Sequence, residues 1–281
     1  IPMSSSLSRF HTIKFTPPGS AGDNGSTDGI GTSALFKTPR GITNDGVNLY
    51  VSDTGNYAIR KIVIASGLVT TLAGGVWGYL DDTGTNARFK YPNGITTDGS
   101  NLYVSDSGND IIRKIDLQTS VVTTLAGLAG TTGSNDGQGT DASFNKPSDV
   151  VLDFSGNVYV ADRDNHLIRK IDSLGNVTTL AGSAGDNGSA DGIGTSARFT
   201  NPIRITTDGF NLYVTSGTSH AVRKIVISTG EVTTIAGNNG IPRGTDGQGS
   251  DARFGWPRGI TTDGKSLYVV GEGSQLIRRI E

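Results

Sequence analysis

Hydrophobic and polar positions alternate along this chain in short runs, and the runs come in blocks of four. Residues 89–127 show one block clearly, with runs rich in Val, Ile, Thr and Tyr that begin at Ile95, Leu102, Ile111 and Val121. Such runs, bounded by Gly, Asp and Asn, are typical of short strands. The pair Asp98-Gly99 supplies the positive φ angles of a tight hairpin. The block therefore predicts four antiparallel strands.

The same block recurs along the chain. Copies begin at Phe36, Phe89, Phe144, Phe199 and Phe254, at intervals of 53, 55, 55 and 55 residues (89 − 36, 144 − 89, 199 − 144, 254 − 199). Self-similarity at such a period indicates a repeat architecture. Four-stranded sheets repeated radially form a β-propeller. We therefore predict an all-β fold with a single five-bladed β-propeller of four-stranded antiparallel blades.

The two ends of the chain predict how the ring closes. Residues 19–34 and 182–197 match at fifteen of sixteen positions, so the N-terminal region carries a linker that elsewhere follows a fourth strand. The fifth copy reaches Glu281 after only three strand signals. We expect a flexible tail at 1–9, and at 10–16 a strand that completes the last blade and leaves no open sheet edge.

One known family shows the same repeat. The string NLYVSDTGNYAIRKI at 48–62, followed by VTTLAG at 69–74, resembles the NHL repeat, and DGIGTSARF at 191–199 resembles the loops of its long-repeat branch. The resemblance covers residues 36–281. It implies a propeller, commonly of six blades in that family, whereas this chain has signals for five. Similar long repeats often occur in secreted bacterial proteins, so the resemblance implies a secreted, extracellular or periplasmic protein.

Composition excludes several classes of function. The 281 residues include 41 Gly and no Cys, and the net charge is −2 with no basic block. Nucleic-acid binding therefore lacks its electrostatic footprint. No apolar run approaches the ~18 residues that a transmembrane helix needs. Without cysteine the chain has neither a disulfide nor a thiol nucleophile.

Residues present in every copy are expected to be structural, because one catalytic site needs only one of each. The aspartates before the first turn are assigned to turn chemistry: Asp45, Asp98, Asp153, Asp208 and Asp263. An arginine recurs in the third strand, and its planar fork suits a carboxylate. The predicted pairs are Arg60 with Asp28, Arg113 with Asp81, Arg169 with Asp136, Arg223 with Asp191, and Arg278 with Asp246.

Exceptions to the repeat indicate candidate ligand-binding residues. Where other copies have Gly, the third and fourth have Asp149 and Arg204, at the start of the innermost strand. One residue earlier, the first and fifth copies have Arg40 and Arg258. We expect these three arginines around one channel mouth, where they would hold a carboxylate or phosphate. The alternative is an Asp149–Arg204 ion pair, with the other two arginines solvated.

The linkers carry further candidates. Trp77 and Tyr79 interrupt one linker and Trp256 precedes a proline. Exposed aromatic residues suit contact with a sugar or a protein, and the alternative is that they form local loop cores. The linker at 186–192 contains oxygen ligands for calcium, but not in the spacing of an EF-hand. We expect no cofactor, with calcium as the one candidate.

Catalytic chemistry has few candidates. His11, His166 and His220 are the only histidines, and no serine has a recognisable His and Asp arrangement. The leading hypothesis is a non-enzymatic extracellular scaffold that binds a protein partner, or assembles with itself, through its long-loop face. The alternative is a multivalent lectin with one sugar cleft per linker. A lactonase-like or lyase-like enzyme at the arginine-lined mouth is the third hypothesis.

Overall fold

The computed structural model describes residues 18–216, 218–237 and 244–281. Within these ranges the strands form five antiparallel sheets, each of which is one blade of a propeller. Helical structure in the described ranges is limited to three-residue 3-10 turns. The predicted all-β fold with five blades is confirmed.

The strands of blades 1 and 2 are β1 (Gly29–Ile30), β2 (Gly41–Asn44), β3 (Asn48–Asp53), β4 (Ala58–Val63), β5 (Leu68–Gly74), β6 (Pro92–Thr97), β7 (Asn101–Asp106), β8 (Ile111–Asp116) and β9 (Val122–Ala126). Those of blade 3 are β10 (Gly137–Gln138), β11 (Pro147–Leu152), β12 (Val158–Asp162), β13 (Leu167–Ile171) and β14 (Asn176–Gly182). Those of blades 4 and 5 are β15 (Gly192–Ile193), β16 (Pro202–Thr207), β17 (Asn211–Ser216), β18 (Ala221–Val226), β19 (Glu231–Gly237), β20 (Pro257–Thr262), β21 (Leu267–Gly271) and β22 (Leu276–Ile280). The 3-10 turns are Gly31–Ser33, Thr54–Asn56, Gly84–Asn86, Gly139–Asp141, Arg163–Asn165, Gly194–Ser196 and Gly249–Asp251.

The linkers contain strands that the sequence did not predict. In blades 1, 3 and 4 a two-residue segment of the linker pairs with the outer edge of the fourth strand, as β1 does with β5, β10 with β14 and β15 with β19. These segments were expected to be loops. Each one gives hydrogen-bond partners to an edge that would otherwise be open.

The innermost strands follow one another around the axis in the order β2, β6, β11, β16, β20. Between blades 1 and 2 and between blades 2 and 3 they pack closely enough to require glycine, at Gly41 and Gly94. A Cβ on Gly94 would lie 2.2 Å from Oδ1 of Asp149 in the next blade. This close approach brings the first residues of neighbouring blades together at the channel mouth.

Each blade is organised around one arginine. In blade 2, Arg113 is fully buried and its Nη2 donates to Oδ1 of Asp81 at 2.6 Å. The predicted pairing with the linker aspartate is confirmed in all five blades. In the same blade the ring of Phe89 lies under the guanidinium, with its centroid 4.8 Å from Cζ. The repeated Phe and the repeated Arg therefore form one unit.

Blades 1 to 3 add a second carboxylate that the sequence did not reveal. In blade 2 the guanidinium of Arg113 also donates to Oδ2 of Asp106 at 3.1 Å, and neither side chain is exposed. Burial raises the pKa of Asp106 to about 6, although Arg113 and hydrogen bonds from Asn109 and Lys90 oppose the rise. In blade 4, Ser216 stands in place of this aspartate.

Blades 1 and 5 present uncovered faces within the described residues. Ile277 of blade 5 is 76% exposed, whereas its equivalent Ile112 of blade 2 is fully buried against the next blade. Ile42 of blade 1 is 62% exposed, and its equivalent Ile95 is 6% exposed. The predicted closing strand at 10–16 and the tail at 1–9 lie outside the described residues, so closure stays a prediction.

We predict that Arg113→Met lowers the free energy of unfolding by about 3–5 kcal/mol, because it leaves Asp106 buried without its cation. Arg223→Met is the matched control, since Ser216 occupies the equivalent position in blade 4 and no buried carboxylate is left behind. Urea denaturation of both variants measures the difference. Equal losses of unfolding free energy in the two variants would show that the buried Asp106 does not add to the destabilisation.

We also predict that deleting residues 1–17 lowers the melting temperature, because the outer edge of β22 and the exposed face at Ile277 would lose the strand expected to cover them. Differential scanning calorimetry of the full and shortened chains measures this. An unchanged melting temperature would contradict the predicted closure.

Candidate functional site

The linkers and the turns between the second and third strands meet on one face of the ring. The side-chain amide of Asn56 donates to the carbonyl of Gly25 in the linker at 2.7 Å. Asn109 and Asn165 make the same contact in blades 2 and 3. We call this side, with the turns Thr54–Asn56 and Arg163–Asn165, the linker face. It corresponds to the long-loop face of the scaffold hypothesis.

A cavity of about 380 Å³ opens at the centre of the linker face, and we call it the axial cavity. Each blade supplies the residue that follows its proline: Arg40, Asn93, Ser148, Ile203 and Arg258. Arg163 and Arg204 complete the charged part of the lining. The structure thus brings together the three arginines that the sequence placed at the mouth.

Arg204 reaches across this mouth. Its Nη1 donates to Oδ1 of Asn93 in blade 2 at 3.1 Å and to the carbonyl of Ser148 in blade 3 at 3.1 Å. Its Nη2 lies 3.5 Å from the carbonyl oxygen of Arg40 in blade 1. These acceptors are all uncharged, so they fix the guanidinium in place without neutralising it.

Two arginines at the cavity have no carboxylate partner. Arg163 pairs with Asp164 at 2.7 Å and Arg258 pairs with Glu272, but over 18–216, 218–237 and 244–281 no ion pair within 4.0 Å involves Arg40 or Arg204. The rest of the chain contains no Asp or Glu. Burial lowers the pKa of Arg40, and the nearby charges of Arg204, Arg258 and Arg163 lower it further. The cavity therefore carries two guanidinium groups that no carboxylate contacts directly.

The alternative prediction of an Asp149–Arg204 ion pair is wrong. Within the described ranges these side chains form no ion pair closer than 4.0 Å, because Arg204 points across the axis. Oδ2 of Asp149 instead accepts the backbone N–H of Ile205 at 3.0 Å. Burial raises the pKa of Asp149 to about 6, while the more distant charge of Arg204 and backbone N–H groups oppose the rise.

A second cavity of about 330 Å³ continues outward over blades 1 to 3, and we call it the outer cavity. It shares Arg40, Asn93 and Arg163 with the axial cavity and adds Lys90 and Tyr91, among others. Sequence reasoning missed these last two residues. The signal was present, because the residues just before the proline differ from copy to copy.

The backbone around the mouth is left-handed at non-glycine residues. The residue before each proline has φ between 47° and 56°: Thr38, Tyr91, Lys146, Asn201 and Trp256. The residue after each turn has φ between 53° and 62°: Tyr57, Asp110, His166, His220 and Gln275. This conformation costs about 1–2 kcal/mol per residue outside glycine. The backbone is the same in every blade but the side chains differ, so the fold does not set their identity.

The predicted aromatic residues have different surroundings. Trp77 is 53% exposed, and Nζ of Lys90 lies 5.3 Å from its ring. The hydroxyl of Tyr79 hydrogen-bonds Thr124 at 3.2 Å, so this side chain packs on its own blade. Trp256 is 52% exposed and lies outside both cavities.

The candidate calcium loop has its carboxylates engaged elsewhere. Asp186 accepts a hydrogen bond from Nε of Arg198 at 2.6 Å, and Asp191 pairs with Arg223 at 2.8 Å. Where the chain is described, no three His, Asp or Glu side chains cluster as metal ligands would. Nδ1 of His166 and Nδ1 of His220 accept backbone N–H groups at separate blade junctions.

Comparison with known proteins identifies the repeat. The family model described as the NHL repeat matches residues 144–171, in blade 3. NHL repeat-containing protein 2 of Bos taurus is 30% identical over 187 residues, which is 61% of this chain and 26% of that protein. The chain belongs to the NHL-repeat β-propellers. It spans about a quarter of the length of the curated relatives it matches.

Solved structures share the fold of this NHL propeller. An auxiliary nutrient binding protein from Bacteroides thetaiotaomicron is 18% identical with a TM-score of 0.59, over 95% of this chain and 75% of that one. Virginiamycin B lyase from Staphylococcus aureus is 16% identical with a TM-score of 0.56, over 86% and 69% of the two chains. Identities this low show the fold alone. No helix in the described part of the chain has the length and apolar character to cross a membrane.

We predict that Asp149 binds a proton near pH 6 in the folded protein. Its folded pKa lies above that of an exposed Asp, about 3.9. This group's contribution to stability is therefore complete below about pH 4 and is lost as the pH rises through 6. Arg204→Gln should raise the pKa of Asp149 further, because it removes the opposing charge. Carboxyl ¹³C NMR, with Asp149→Asn for assignment, measures the pKa of Asp149 in the wild type and in Arg204→Gln. A pKa near 4 in the wild type that does not change in Arg204→Gln would contradict the prediction.

Proposed function

We propose that this NHL propeller is a non-enzymatic binding module, acting in the extracellular space or periplasm, that holds an anionic group of its ligand in the axial cavity. One observation carries the proposal: Arg40 and Arg204 face this cavity without a carboxylate within the described chain. Guanidinium groups bind carboxylate and phosphate through charge-assisted hydrogen bonds, often in pairs. The guanidinium groups without a carboxylate partner therefore line the same cavity that has room for a ligand.

The geometry suits binding in two further respects. Arg204 is fixed by Asn93 and Ser148, so its remaining N–H groups are oriented before a ligand arrives. The volumes of the two cavities, about 380 and 330 Å³, lie within the range of small-molecule sites. A ligand of metabolite size would fit with its acidic group at the axis.

Support for a binding role over catalysis comes from chemistry and from fold likeness. The lining of the axial cavity has arginines, an amide and a hydroxyl but no histidine or cysteine. The two described histidines accept backbone hydrogen bonds at other junctions. The auxiliary nutrient binding protein shares the fold, and its description as a binding protein is in keeping with a role in ligand binding. The likeness to virginiamycin B lyase is one of fold, and it assigns a catalytic role to no residue of this chain.

A second candidate is self-assembly through exposed aromatic residues of the linker face. Trp77 and Trp256 are about half exposed there, at 53% and 52%. Sedimentation velocity tests this with the chain alone: a concentration-dependent dimer that Trp256→Ala abolishes would support it. A monomer at all concentrations would leave the anion site as the function of this face.

We predict that the protein binds acidic compounds on an array of citrate, inorganic phosphate, acidic sugars and neutral sugars. The variant Arg40→Gln/Arg204→Gln should lose at least about tenfold in affinity, which corresponds to about 1.4 kcal/mol. Salt at 1 M, where the Debye length is about 3 Å, should weaken binding by the wild type. Calorimetry should give one site per chain, since the mouth is not five-fold symmetric; five equal sites would favour the multivalent lectin.

Arg279→Gln is the control for this experiment. Its side chain is 55% exposed on blade 5 and lines neither cavity. It removes positive charge without altering the proposed site. If no acidic compound binds, or if the control loses as much affinity as the double variant, the proposed function is wrong.

A further inference from the structure

The junction between blades 1 and 2 differs from the other junctions. It accounts for the single 53-residue interval, because its linker is two residues shorter than the rest. Among the linkers before each repeat Phe, this is also the one whose sequence contains aromatic residues, Trp77 and Tyr79. A ring of near-identical repeats thus has one modified junction, and the outer cavity, which extends over blades 1 to 3, lies in part over it.

Cationic and aromatic side chains alternate along this junction. The chain runs from Phe89, buried between the blades, to Asn93 at the axis, and it carries Lys90 and Tyr91 between them. Lys90 lies over the ring of Trp77, with 5.3 Å between Nζ and the ring centroid. Arg40 lies at the inner end. From the axis outward, the order is arginine, tyrosine, lysine and tryptophan.

Tyr91 packs against a second tyrosine, Tyr57. The rings of Tyr57 and Tyr91 meet edge to face, with centroids 5.5 Å apart. Both residues have the left-handed backbone described above, with φ of 57° and 56°. The equivalent position in blade 4 holds Asn201 with φ of 48°, so a small polar residue satisfies this backbone. The fold alone does not require the tyrosine pair, and Tyr91 remains 48% exposed.

Lys90 adds a third cation without a carboxylate. No ion pair within 4.0 Å involves Lys90 in the ranges that the structure describes, and the remaining segments contain no Asp or Glu. Positive charge is therefore available at both sides of Tyr91, from Arg40 and Arg204 on one and Lys90 on the other. A ligand that neutralises both needs more than one acidic group.

We infer that the ligand of this NHL propeller is an acidic oligosaccharide laid along the blade 1–blade 2 junction, a step that rests on the proposed anion-binding function. Each unit of such a chain has an apolar ring face and a carboxylate. The ring faces suit Tyr91 and Trp77, and the carboxylates suit the cations that alternate with them. A compact acid such as citrate would reach the inner cations alone.

Isothermal titration calorimetry with trigalacturonic acid, galacturonic acid and maltotriose tests this inference. We expect the acidic trimer to bind at least about tenfold more tightly than the acidic monomer, and maltotriose not to bind. Trp77→Ala should weaken trimer binding about five- to tenfold and leave monomer binding at the inner cations unchanged. Tyr91→Asn should weaken trimer binding about five- to tenfold. Asn is chosen because Asn201 shows that this backbone accepts it.

Phe210→Ala is the matched aromatic control. Phe210 is 75% exposed in the turn between β16 and β17, at the end of the strands opposite the linker face. It should not change binding of either acid. Circular dichroism of each variant before titration confirms that any loss reflects the site and not unfolding.

The outcomes separate the two proposals. Monomer and trimer of equal affinity, a neutral trimer that binds as well, or no effect of Tyr91→Asn would each overturn the oligosaccharide inference. Binding of citrate or phosphate that depends on Arg204 would still uphold the anion site in those cases. If no acid binds in any form, both proposals are wrong.

Discussion

The guanidinium of each blade lies almost entirely out of water and must keep its charge, and this requirement organises every blade. Arginine does not lose its proton in proteins, so a buried arginine needs hydrogen-bond acceptors for its terminal nitrogens. In blade 2 those acceptors come from the linker, from the second strand and from backbone carbonyls, with a phenyl ring beneath. The arginine therefore fixes the path of the linker as well as the packing of the sheet. Each linker aspartate thereby joins the linker face to the interior of a blade.

The contacts of the buried arginines distinguish the positions that stabilise the fold from those that vary between copies. The recurrent arginine of each blade sits in its interior, whereas the residue after each proline lies at the mouth and varies among the copies. Pseudo-symmetry thus provides an internal comparison within one chain. Where the backbone repeats and the side chain does not, the reason must lie outside the fold. Arg40, Tyr91 and Arg204 are positions of this kind.

Much of this could be predicted from the sequence, because strand patterns and turn pairs are local. The pairing of Arg113 with Asp81 was predictable too, since both recur in every copy. The pairing of Asp106 with Arg113 was missed because an aspartate beside a turn is typical of turn chemistry. The burial of Asp106 results from tertiary packing, which the local sequence does not show. The alternative Asp149–Arg204 pair was suggested by opposite charges on neighbouring blades. The direction of Arg204 depends on the width of the ring, which sequence spacing does not define. The contact of Tyr57 with Tyr91 joins two blades, so no local pattern reveals it.

Arg204 crosses the mouth of the central channel. Its side chain spans the mouth from blade 4 to blades 2 and 3 and is held there by hydrogen bonds. A molecule in the axial cavity would therefore lie against a guanidinium that three other blades hold in place. Another molecule that covered the linker face would also cover the mouth of this cavity, so access from that side would be controlled from outside the ring.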